Sequence, residues 1–576
     1  MICVPILADD PAIAKRDAIV SAERGADIVE FRVDLLMELE ESLASRIAII
    51  KNLVEDSPLP CIVTCRPEWE GGLYSGDEDE RVSMFEAVGT ADHPPAYIDV
   101  ELKAYQASAN IKQKINLAVD HPKQQRAVRT RLILSSHDFE GRPADLTRRL
   151  MAMHDEPACA VVKVAYRARS IRDNLELFDI LSERQKPTIA LCMGEFGTMS
   201  RVLAPKFGGF LTFATLRDAS ATASGQPTIE ELLGMYRFRS IKPSTKVYGI
   251  IGWPVTQSMS PLVHNAGFEA IGWDGVYVPM PVAADETDTE SSYTSFKTTF
   301  ATLIVHADLG FEGASITIPH KQHAARLYRD EHVISKSPFE QRVLTSLFCI
   351  ETDEFVELSR SCNTFVRSID CGGDFHSFFL NTDKLGVIDP VGYETDVWGE
   401  KRVVLIGAGG AARAAAFGFA ELGASVGIMN RSTEKAEALA DVVNLPWTTT
   451  VSDGRTRRSA SVVSADGLSH SPGDIYINCT PVGMAGGPDP DGLSIPIPDL
   501  PPLPPETVFF DTVYNPIETP MLREAKARGY RTIDGVQMFV KQAEAQFALW
   551  TGQQAPEGLF DRLVREKLTT REKPSV

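Results

Sequence analysis

The 576-residue sequence predicts an α/β protein in which a (β/α)8 barrel precedes a second α/β region built around a glycine turn. Two observations lead to this fold class. Eight short apolar runs alternate with amphipathic helical stretches in residues 1–240, and further along an apolar run enters a glycine turn that an alanine-rich helical stretch leaves. Because the chain is longer than one hydrophobic core supports, we expect several domains.

The composition argues against some classes of function. A formal net charge of −20 disfavours nucleic acid and anionic membranes as partners, since both require a cationic surface. The sequence shows neither a signal peptide nor an apolar run of about 18 residues, so we expect a cytoplasmic protein without a membrane span. The nine cysteines are scattered, and no carboxylate or further histidine cluster joins His320 and His323. Free thiols and no metal site are therefore expected.

The predicted barrel strands are short, apolar and rich in β-branched residues. They are Ile2–Ile6, Asp27–Val33, Pro60–Cys65, Ala96–Leu102, Arg131–Ser136, Ala158–Ala165, Pro187–Cys192 and Gly209–Thr215. Eight strand–helix units in about 240 residues match the count and length of a (β/α)8 barrel. An open eight-stranded sheet is the alternative.

Polar residues cluster where these strands end, which is where such a barrel carries its chemistry. They are Glu30, Arg32, Asp34, Arg66, Glu70, Glu101, His137, Lys163, Arg201 and the segment from Thr222 to Gln226. Lys163 lies inside the apolar stretch Val161–Ala165, where an unpaired charge is costly. Burial favours the neutral amine, the form that attacks a ketone, so we expect a nucleophile. A structural pair with a barrel glutamate is the alternative.

With these residues in place, residues 1–241 resemble the type I 3-dehydroquinate dehydratases. The motifs that carry the resemblance occur in order: Glu30-x-Arg32-x-Asp34, Ser135-Ser-His137-Asp, Val162-Lys163-Val-Ala, Met193-Gly…Ser200-Arg201 and Ala223-Ser-Gly-Gln226. The resemblance implies that Lys163 forms a Schiff base with the C3 ketone of 3-dehydroquinate. It also implies that His137 removes the C2 proton and then protonates the departing C1 hydroxyl.

The same resemblance assigns the remaining polar residues of the barrel. Arg201 binds the substrate carboxylate, and the other expected substrate contacts are Glu30, Arg32, Arg66, Thr222 and Gln226. Glu30 positions Lys163 or His137, and Glu70 orients the histidine. Ion pairs at the barrel mouth are the alternative role for these two glutamates.

A short polar linker, Ser240–Thr245, follows the helical run Thr228–Phe238, and a new strand starts at Lys246. Further along, Lys401–Ala412 forms the glycine turn between a strand and a helix, and a second apolar run, Ala424–Met429, ends before Arg431. Backbone N–H groups at such a turn bind a pyrophosphate, which predicts a Rossmann domain. At that strand end an NAD enzyme usually has Asp or Glu, whereas arginine pairs with a 2′-phosphate, so we predict NADP(H).

The second half resembles shikimate dehydrogenases. The resemblance is carried by Ser258-Met-Ser260-Pro, Gly313-Ala-Ser-Ile-Thr317-Ile-Pro-His-Lys321, Cys362-Asn363-Thr, Asn381-Thr-Asp383, the glycine turn, Asn478-Cys-Thr480-Pro-Val-Gly483-Met, Asp511-Thr-Val-Tyr514 and Gly535-Val-Gln-Met538-Phe-Val-Lys-Gln542. The implied domains are a substrate-binding domain at 246–390, a Rossmann domain at 391–530 and C-terminal helices at 531–566 that return to the substrate domain.

This resemblance also implies residue roles. Lys321 and Asp383 form the catalytic pair beside the carbonyl of 3-dehydroshikimate. The other expected substrate contacts are Ser258, Ser260, Thr317, Asn363, Tyr514 and Gln542. The expected cofactor contacts are Gly407, Ala408, Gly409, Gly410, Ala411, Ala412, Asn430, Arg431, Ser432, Thr480, Gly483, Gly535 and Met538. A salt bridge between Lys321 and Asp383 without a catalytic role is the alternative.

The second half also departs from its family pattern. Met259 stands where lysine is common, Asn381 lacks the usual glycine two residues before it, and Arg360-Ser-Cys precedes Asn363 in place of Gly-Ala-Val. The stretch 331–360 is longer than in the family, and the polar stretches 284–298 and 453–473 are expected to be surface loops.

The sequence therefore predicts a bifunctional enzyme of the shikimate pathway. It dehydrates 3-dehydroquinate to 3-dehydroshikimate and reduces that product to shikimate with NADPH. Three alternatives stay open: a quinate/shikimate dehydrogenase acting catabolically, a chain with only the dehydratase half active, and an inactive metabolite-sensing regulator. The presence of Lys163, His137, Lys321 and Asp383 argues against the regulator.

Overall fold

The computed structural model describes residues 1–39, 41–217, 225–285, 287–333, 349–369, 375–392, 395–447, 449–450, 456–457 and 459–572. The chain forms two compact units, residues 1–245 with 274–281, and residues 246–273 with 282–576. Among the described residues, no helix is long and apolar enough to cross a bilayer.

The first unit is built around eight parallel strands. They are β1 Ile2–Leu7, β2 Ile28–Arg32, β3 Cys61–Thr64, β4 Tyr97–Glu101, β5 Arg131–Asp138, β6 Cys159–Arg167, β7 Thr188–Met193 and β8 Thr212–Phe213. The sheet order is β7-β6-β5-β4-β3-β2-β1-β8. The two edge strands of this sheet, β7 and β8, also approach each other. The backbone N–H of Phe210, just before β8, donates to the carbonyl of Thr188 in β7 at 2.9 Å, so the sheet is a nearly closed barrel. The open-sheet alternative is wrong, and β8 is shorter than the predicted Gly209–Thr215.

Helices connect the barrel strands. They are Pro11–Glu23, Leu43–Glu55, Glu78–Gly89, Leu102–Tyr105, Ala109–Ala118, Leu146–His154, Asp173–Ser182 and Thr198–Leu203. Asp10 caps the first of them by accepting from the backbone N–H of Ala12 at 2.8 Å. The predicted helical run after β8 contains a π-helical turn at Glu231–Met235, and the strand β10, Gly275–Pro281, also belongs to the residues of this unit.

The second unit contains two sheets. Strands β9 Lys246–Gly252, β11 Phe311–Ile316, β13 Thr364–Ile369, β14 Phe375–Leu380 and β12 Cys349–Thr352 are neighbours in that order. The second sheet is parallel, in the order β19 Ala460–Val462, β16 Ser425–Met429, β15 Arg402–Ile406, β20 Ile475–Asn478, β21 Val508–Asp511 and β22 Arg531–Ile533. The strand order reverses between β15 and β20. In a doubly wound sheet, ligands usually bind in the crevice at such a reversal.

Helices flank both sheets of this unit. They are Ser260–Ala270, Thr289–Val305, Lys321–Val333, Glu354–Ser359, Asp383–Ile388, Gly410–Glu421, Thr433–Trp447, Ala465–His470, Pro520–Ala527, Gly535–Thr551 and Leu559–Glu572. A small hairpin pairs β17 Thr449–Thr450 with β18 Thr456–Arg457. The parallel sheet and its helices enclose an apolar core that includes Val403, Leu405, Phe417 and Ile477.

The prediction that residues 284–298 and 453–473 are surface loops is wrong. Residues 284–298 contain the start of helix Thr289–Val305, which Asp288 caps and which buries Tyr293 and Phe296. These aromatic residues are three apart, the helical spacing, although serines and threonines surround them. In the stretch 453–473 the described residues include the edge strand β19 and the helix Ala465–His470. Of the long stretch 331–360, residues 334–348 lie outside the described part of the chain.

Candidate active sites

The inward-facing residues of the barrel change from apolar to polar along several of its strands. Ile28, Ile133 and Val161 are members of a buried apolar cluster in the barrel interior. Because alternate residues of a strand share a face, Glu30 follows Ile28 inward, Ser135 and His137 follow Ile133, and Lys163 follows Val161. The apolar layer therefore forms the floor of a polar pocket at the carboxyl ends of the strands.

This barrel pocket brings together most of the predicted dehydratase residues. It is lined by Glu30, Arg32, Arg66, Glu70, Gly71, His137, Phe139, Lys163, Ala165, Ile189, Leu191, Met193, Arg201, Phe213 and Gln226. Thr222 lies outside the described residues.

Lys163 is 4% exposed and is paired with two carboxylates. Its Nζ lies 2.7 Å from Asp99 Oδ2 and 3.6 Å from Glu30 Oε1. It also lies 4.7 Å from the centre of the Phe213 ring. A buried ammonium is stable only with such partners, and the same partners stabilise any cation that replaces it.

Asp99 is a residue that the sequence interpretation missed. It is fully buried on β4, and its Oδ1 accepts from Arg66 Nη2 at 2.9 Å. Burial alone would raise the pKa of the Asp99 carboxyl, but the charges of Arg66 and Lys163 hold it well below its usual range. Its alternation with Glu101 on the predicted fourth strand was the available signal, because both must then share the inward face.

Glu70 binds His137 through two hydrogen bonds. Glu70 Oε1 accepts from the His137 backbone N–H at 2.8 Å and lies 3.0 Å from His137 Nδ1. Burial lowers the pKa of His137 well below its usual range, and the charges of Arg66 and Lys163 lower it further. The neutral imidazole can then donate Nδ1–H to Glu70 and keep Nε2 free to accept a proton.

We expect dehydration to slow as the pH falls through about 7. Burial raises the pKa of Glu70 to about 7, although Arg66 opposes the shift. The carboxylate is the form that accepts from Nδ1–H, so its fraction, and with it kcat, falls as Glu70 takes up a proton. The pKa of His137 is shifted the other way, below its usual range, because the ring is buried. A kcat–pH profile from pH 5 to 9 measures this limb.

The Glu70→Gln variant provides the control for that profile. It keeps the size of the side chain and removes its ionisation, so kcat should fall roughly tenfold to a hundredfold and the limb near pH 7 should disappear. A limb that persists unchanged in Glu70→Gln would assign the titration to another group.

Two arginines of the barrel pocket, Arg66 and Arg32, are bound to carboxylates of the barrel. Arg66 is held by Asp99, by Glu101 Oε1 at 2.6 Å and by Ser135 Oγ at 2.9 Å. Arg32 pairs with Asp34 at 2.5 Å, and Asp34 also accepts from the Arg66 backbone N–H. Both arginines line the pocket, but their guanidinium groups are already partly satisfied.

Arg201 is a buried cation that has no anionic partner in the described part of the chain. It is 3% exposed on helix Thr198–Leu203, and no described residue forms a hydrogen bond with its Nε or an ion pair with its guanidinium. Burial lowers the pKa of this arginine to about 10. An uncompensated buried charge facing a pocket is destabilising by itself, so the residue is suited to bind an anion.

The second pocket lies in the second unit and contains the predicted pair of Lys321 and Asp383. Lys321 Nζ lies 2.5 Å from Asp383 Oδ2, and Asn363 Nδ2 donates to Asp383 Oδ1 at 2.8 Å. Lys321 begins one helix and Asp383 begins another, so two short segments that follow strands converge here. Asp383 fixes the position of the Lys321 side chain, and Asn363 in turn holds Asp383.

All six other predicted substrate contacts line the same pocket. The lining is Ile250, Pro254, Val255, Gln257, Ser258, Ser260, Ser315, Ile316, Thr317, Ile318, Lys321, Asn363, Asp383, Ala411, Thr512, Tyr514, Gly535, Met538, Phe539, Gln542 and Gln546. Ser258 Oγ accepts from the backbone N–H of Ser260 at 3.2 Å. Met259 is buried and does not line the pocket, so its departure from the family pattern leaves the pocket unchanged.

Gln546 was not predicted to be part of this pocket. Its Nε2 donates to the Asn363 carbonyl at 3.1 Å and to Thr364 Oγ1 at 3.0 Å, and its Oε1 accepts from Ser315 Oγ at 2.7 Å. It comes one helical turn after Gln542 on helix Gly535–Thr551. That i, i+4 spacing placed both glutamines on one face and was the signal available in the sequence.

The glycine turn follows β15, at the crevice of the parallel sheet. Gly407 has φ of 112°, and a Cβ there would lie 3.0 Å from the Cys479 carbonyl oxygen. A Cβ on Gly409 would meet no described atom within 4 Å, and one on Gly410 would lie 3.2 Å from Lys321 Cδ. Gly407 therefore permits the turn, Gly409 leaves the helix N-terminus open to a ligand, and Gly410 allows Lys321 to approach.

The remaining predicted cofactor contacts surround this crevice. Ala411 lines the second pocket and Ala412 is buried in the sheet core, while Ala408 is partly buried. Arg431 is exposed directly after β16, and Asn430 Nδ2 donates to the Ser432 carbonyl at 2.9 Å.

Two more of these contacts follow β20. Thr480 donates its hydroxyl to Asn478 Oδ1 at 2.7 Å, and Gly483 has φ of 85°. Thr480 lies beside Gly407, as expected for a residue at a strand-order reversal, whereas Gly483 lies against Thr519 and Pro520.

Three known families match the chain. Residues 2–243 match type I 3-dehydroquinase, residues 250–332 match the shikimate dehydrogenase substrate-binding domain, and residues 535–565 match the shikimate 5′-dehydrogenase C-terminal domain. Fold and families together define a two-part enzyme, a barrel lyase followed by a dehydrogenase.

Individual relatives resemble either the whole chain or its second half. The bifunctional 3-dehydroquinate dehydratase/shikimate dehydrogenase, chloroplastic, of Arabidopsis thaliana is 35% identical over 572 residues, which is 97% of this chain and 83% of the relative. The shikimate dehydrogenase (NADP(+)) of Methanocella arvoryzae is 32% identical over 56% of this chain and 99% of the relative. The structure of dehydroquinate dehydratase and shikimate dehydrogenase from S. pombe AroM covers 98% of this chain and 97% of that chain, at 22% identity and a TM-score of 0.37.

The chain belongs to the family of bifunctional 3-dehydroquinate dehydratase/shikimate dehydrogenases. It is an enzyme of the shikimate pathway with one activity in each half, as the sequence predicted.

Proposed function

We propose that the barrel dehydrates 3-dehydroquinate through a Schiff base on Lys163. The amine attacks the C3 ketone and water leaves, which gives an iminium. His137 Nε2 then removes the C2 proton, returns it to the C1 hydroxyl as that group departs as water, and hydrolysis of the iminium frees Lys163 and 3-dehydroshikimate. The iminium is cationic, so Asp99 and Glu30 stabilise it as they stabilise the ammonium.

The observation that supports this assignment most strongly is the buried Arg201, which has no ion-pair partner among the described residues and lies in the same pocket as Lys163. The substrate carries a carboxylate, and a bidentate pair with Arg201 would neutralise this guanidinium. That pair would also hold the ring with its ketone towards Lys163. Glu30, Arg32, Arg66, Thr222 and Gln226 complete the proposed substrate contacts.

An Arg201→Gln variant should raise the KM for 3-dehydroquinate about a hundredfold and change kcat less. The reason is that the carboxylate contact exists in both ground and transition states, so its loss removes uniform binding. Steady-state kinetics measure the effect, and the Arg149→Gln variant, which changes an arginine outside this pocket, is the control. A fall in kcat without a rise in KM would contradict this role.

For the second half we propose reduction of the ketone of 3-dehydroshikimate beside Lys321 and Asp383. NADPH, when bound, supplies the hydride. Lys321 donates the proton to the new hydroxyl, and Asp383 holds the ammonium and accepts from a ring hydroxyl. Ser258, Ser260, Thr317, Asn363, Tyr514 and Gln542 would bind the carboxylate and the other hydroxyls.

The residues at the crevice of the parallel sheet fit NADP(H). The open N-terminus of helix Gly410–Glu421 suits a diphosphate, and the exposed Arg431 suits a 2′-phosphate. Gly407, Ala408, Gly409, Gly410, Ala411 and Ala412 would approach the diphosphate. Asn430, Arg431 and Ser432 would hold the adenosine end, and Thr480, Gly483, Gly535 and Met538 the nicotinamide side. Neither proposed step uses a metal ion, and the cytoplasmic location expected from the sequence stays a prediction.

An Arg431→Ala variant should weaken NADPH binding at least about thirtyfold and NADH binding less than threefold. The difference arises because only NADPH carries the 2′-phosphate that the guanidinium would pair with. Fluorescence titration of both nucleotides measures the two dissociation constants. Equal weakening of both would show that Arg431 does not recognise the 2′-phosphate.

A further inference from the structure

Arg360 has a backbone conformation that arginine rarely adopts. It ends helix Glu354–Ser359 with φ of 51° and ψ of 38°, in the left-handed region. Arg237 is the other non-glycine residue with positive φ in the described part of the chain. Glycine is the usual residue at such a helix end because a side chain is strained there. This chain has an arginine there in place of the usual glycine, and its side chain is exposed.

A second arginine, Arg413, lies against the same helix end. It comes from the first turn of helix Gly410–Glu421, and its Nη1 donates to the Ser359 carbonyl at 3.3 Å. Burial lowers the pKa of Arg413, and the charge of Arg360 lowers it further. Within the described residues, neither arginine forms an ion pair with a carboxylate, and the buried Nε of Arg413 has no hydrogen-bond partner. Two neighbouring guanidinium groups therefore repel each other without a counterion.

Another group that is unpaired among the described residues, the hydroxyl of Ser361, lies beside the start of helix Gly410–Glu421. Ser361 is fully buried, and no described group forms a hydrogen bond with its Oγ. That Oγ would lie 3.9 Å from a Cβ on Gly410, while the position beside Gly409 is open among the described residues. A hydroxyl, two guanidinium groups and a helix N-terminus thus point to one polyanionic ligand.

We propose that Arg360 and Arg413 form a two-arginine clamp on the diphosphate bridge of the dinucleotide. The inference rests on the proposed binding of NADP(H) at the glycine turn. The diphosphate supplies the missing counterion, so binding of the dinucleotide replaces repulsion between the two arginines with attraction of both to one anion. Arg413 approaches from the dinucleotide-binding sheet and Arg360 from the segment that leads to Asn363. The clamp therefore connects cofactor binding to the part of the substrate pocket that holds Asp383.

The test is calorimetric titration with NADP⁺ and with adenosine 2′-monophosphate, which lacks the diphosphate. The Arg360→Gly variant should bind NADP⁺ about tenfold more weakly, with a smaller dependence of the dissociation constant on salt. It should bind adenosine 2′-monophosphate as the wild type does. Without nucleotide it should melt no lower than the wild type, because glycine adopts the required φ without strain. The Arg413→Gln variant should weaken NADP⁺ binding by a similar factor.

Arg237→Gly is the matched control, since it makes the same exchange at the other positive-φ arginine, on the barrel unit. It should leave NADP⁺ binding unchanged. The clamp is overturned if Arg360→Gly binds NADP⁺ like the wild type, if Arg237→Gly weakens binding equally, or if adenosine 2′-monophosphate is weakened as much as NADP⁺. Failure of the wild type itself to bind NADP⁺ would instead refute the proposed cofactor site.

Discussion

A Lys163→Met variant should lose dehydration of 3-dehydroquinate by at least about 10⁴-fold, which is the scale expected for removal of a covalent nucleophile. Methionine fills most of the volume but cannot form an iminium. The same variant should reduce supplied 3-dehydroshikimate at the wild-type rate, because the proposed catalytic pair of that reaction, Lys321 and Asp383, belongs to the second unit. Separate assays of the two half-reactions on one preparation measure both outcomes, and the second serves as an internal control for folding.

Lys163→Met also leaves Asp99 and Glu30 without their cation, which could damage the barrel. A second variant must therefore separate loss of the nucleophile from loss of a buried lysine. Lys206→Met is matched, since Lys206 is also buried in the barrel and its ammonium donates to the Pro243 carbonyl at 2.7 Å, outside the pocket. It should retain dehydration within about fivefold. Borohydride added with 3-dehydroquinate should attach the substrate mass to the peptide that contains Lys163. Attachment at another lysine would contradict the Schiff-base assignment.

A Lys321→Met variant should reduce 3-dehydroshikimate about 10³-fold more slowly, because it removes the proposed proton donor from the carbonyl. Its dehydration rate should be unchanged, and its dissociation constant for NADPH should stay within about threefold of the wild type. Stopped-flow measurement of NADPH oxidation gives the rate, and fluorescence titration gives the affinity.

Asp383→Asn separates the two parts of this pair. It keeps the shape and a hydrogen-bond acceptor for Lys321 but removes the negative charge that holds the ammonium, so a decrease of roughly tenfold to a hundredfold is expected. Full reductase activity in Lys321→Met would refute its role as proton donor, and lost NADPH binding in that variant would instead assign the lysine to the cofactor.

The sequence alone predicted those features that depend on a residue type and its neighbours along the chain. The barrel followed from eight apolar runs, and Lys163, His137, Lys321 and Asp383 could be selected from short motifs around them. The structure places the first two in one pocket and the last two in another. Local sequence succeeds here because strand ends and helix starts position these side chains directly.

The residues that were missed depend on contacts between distant segments. Asp99 meets Lys163 because β4 and β6 flank β5 in the barrel, a relation that strand order creates and periodicity does not display. Gln546 reaches Asn363 from a helix 183 positions away along the chain. The helix Thr289–Val305 was mistaken for a loop because its serines and threonines concealed the spacing of its buried aromatic residues.

Whether one chain carries both activities is tested by mixing the purified protein with 3-dehydroquinate and excess NADPH. The absorbances of the enone and of NADPH are then recorded over time. We expect the enone to rise and then to decay as NADPH is oxidised. One NADPH should be consumed per molecule of 3-dehydroquinate added, with shikimate as the product. Accumulation of the enone with NADPH unchanged would contradict a reductase in the second half, and no change in either absorbance would contradict both activities.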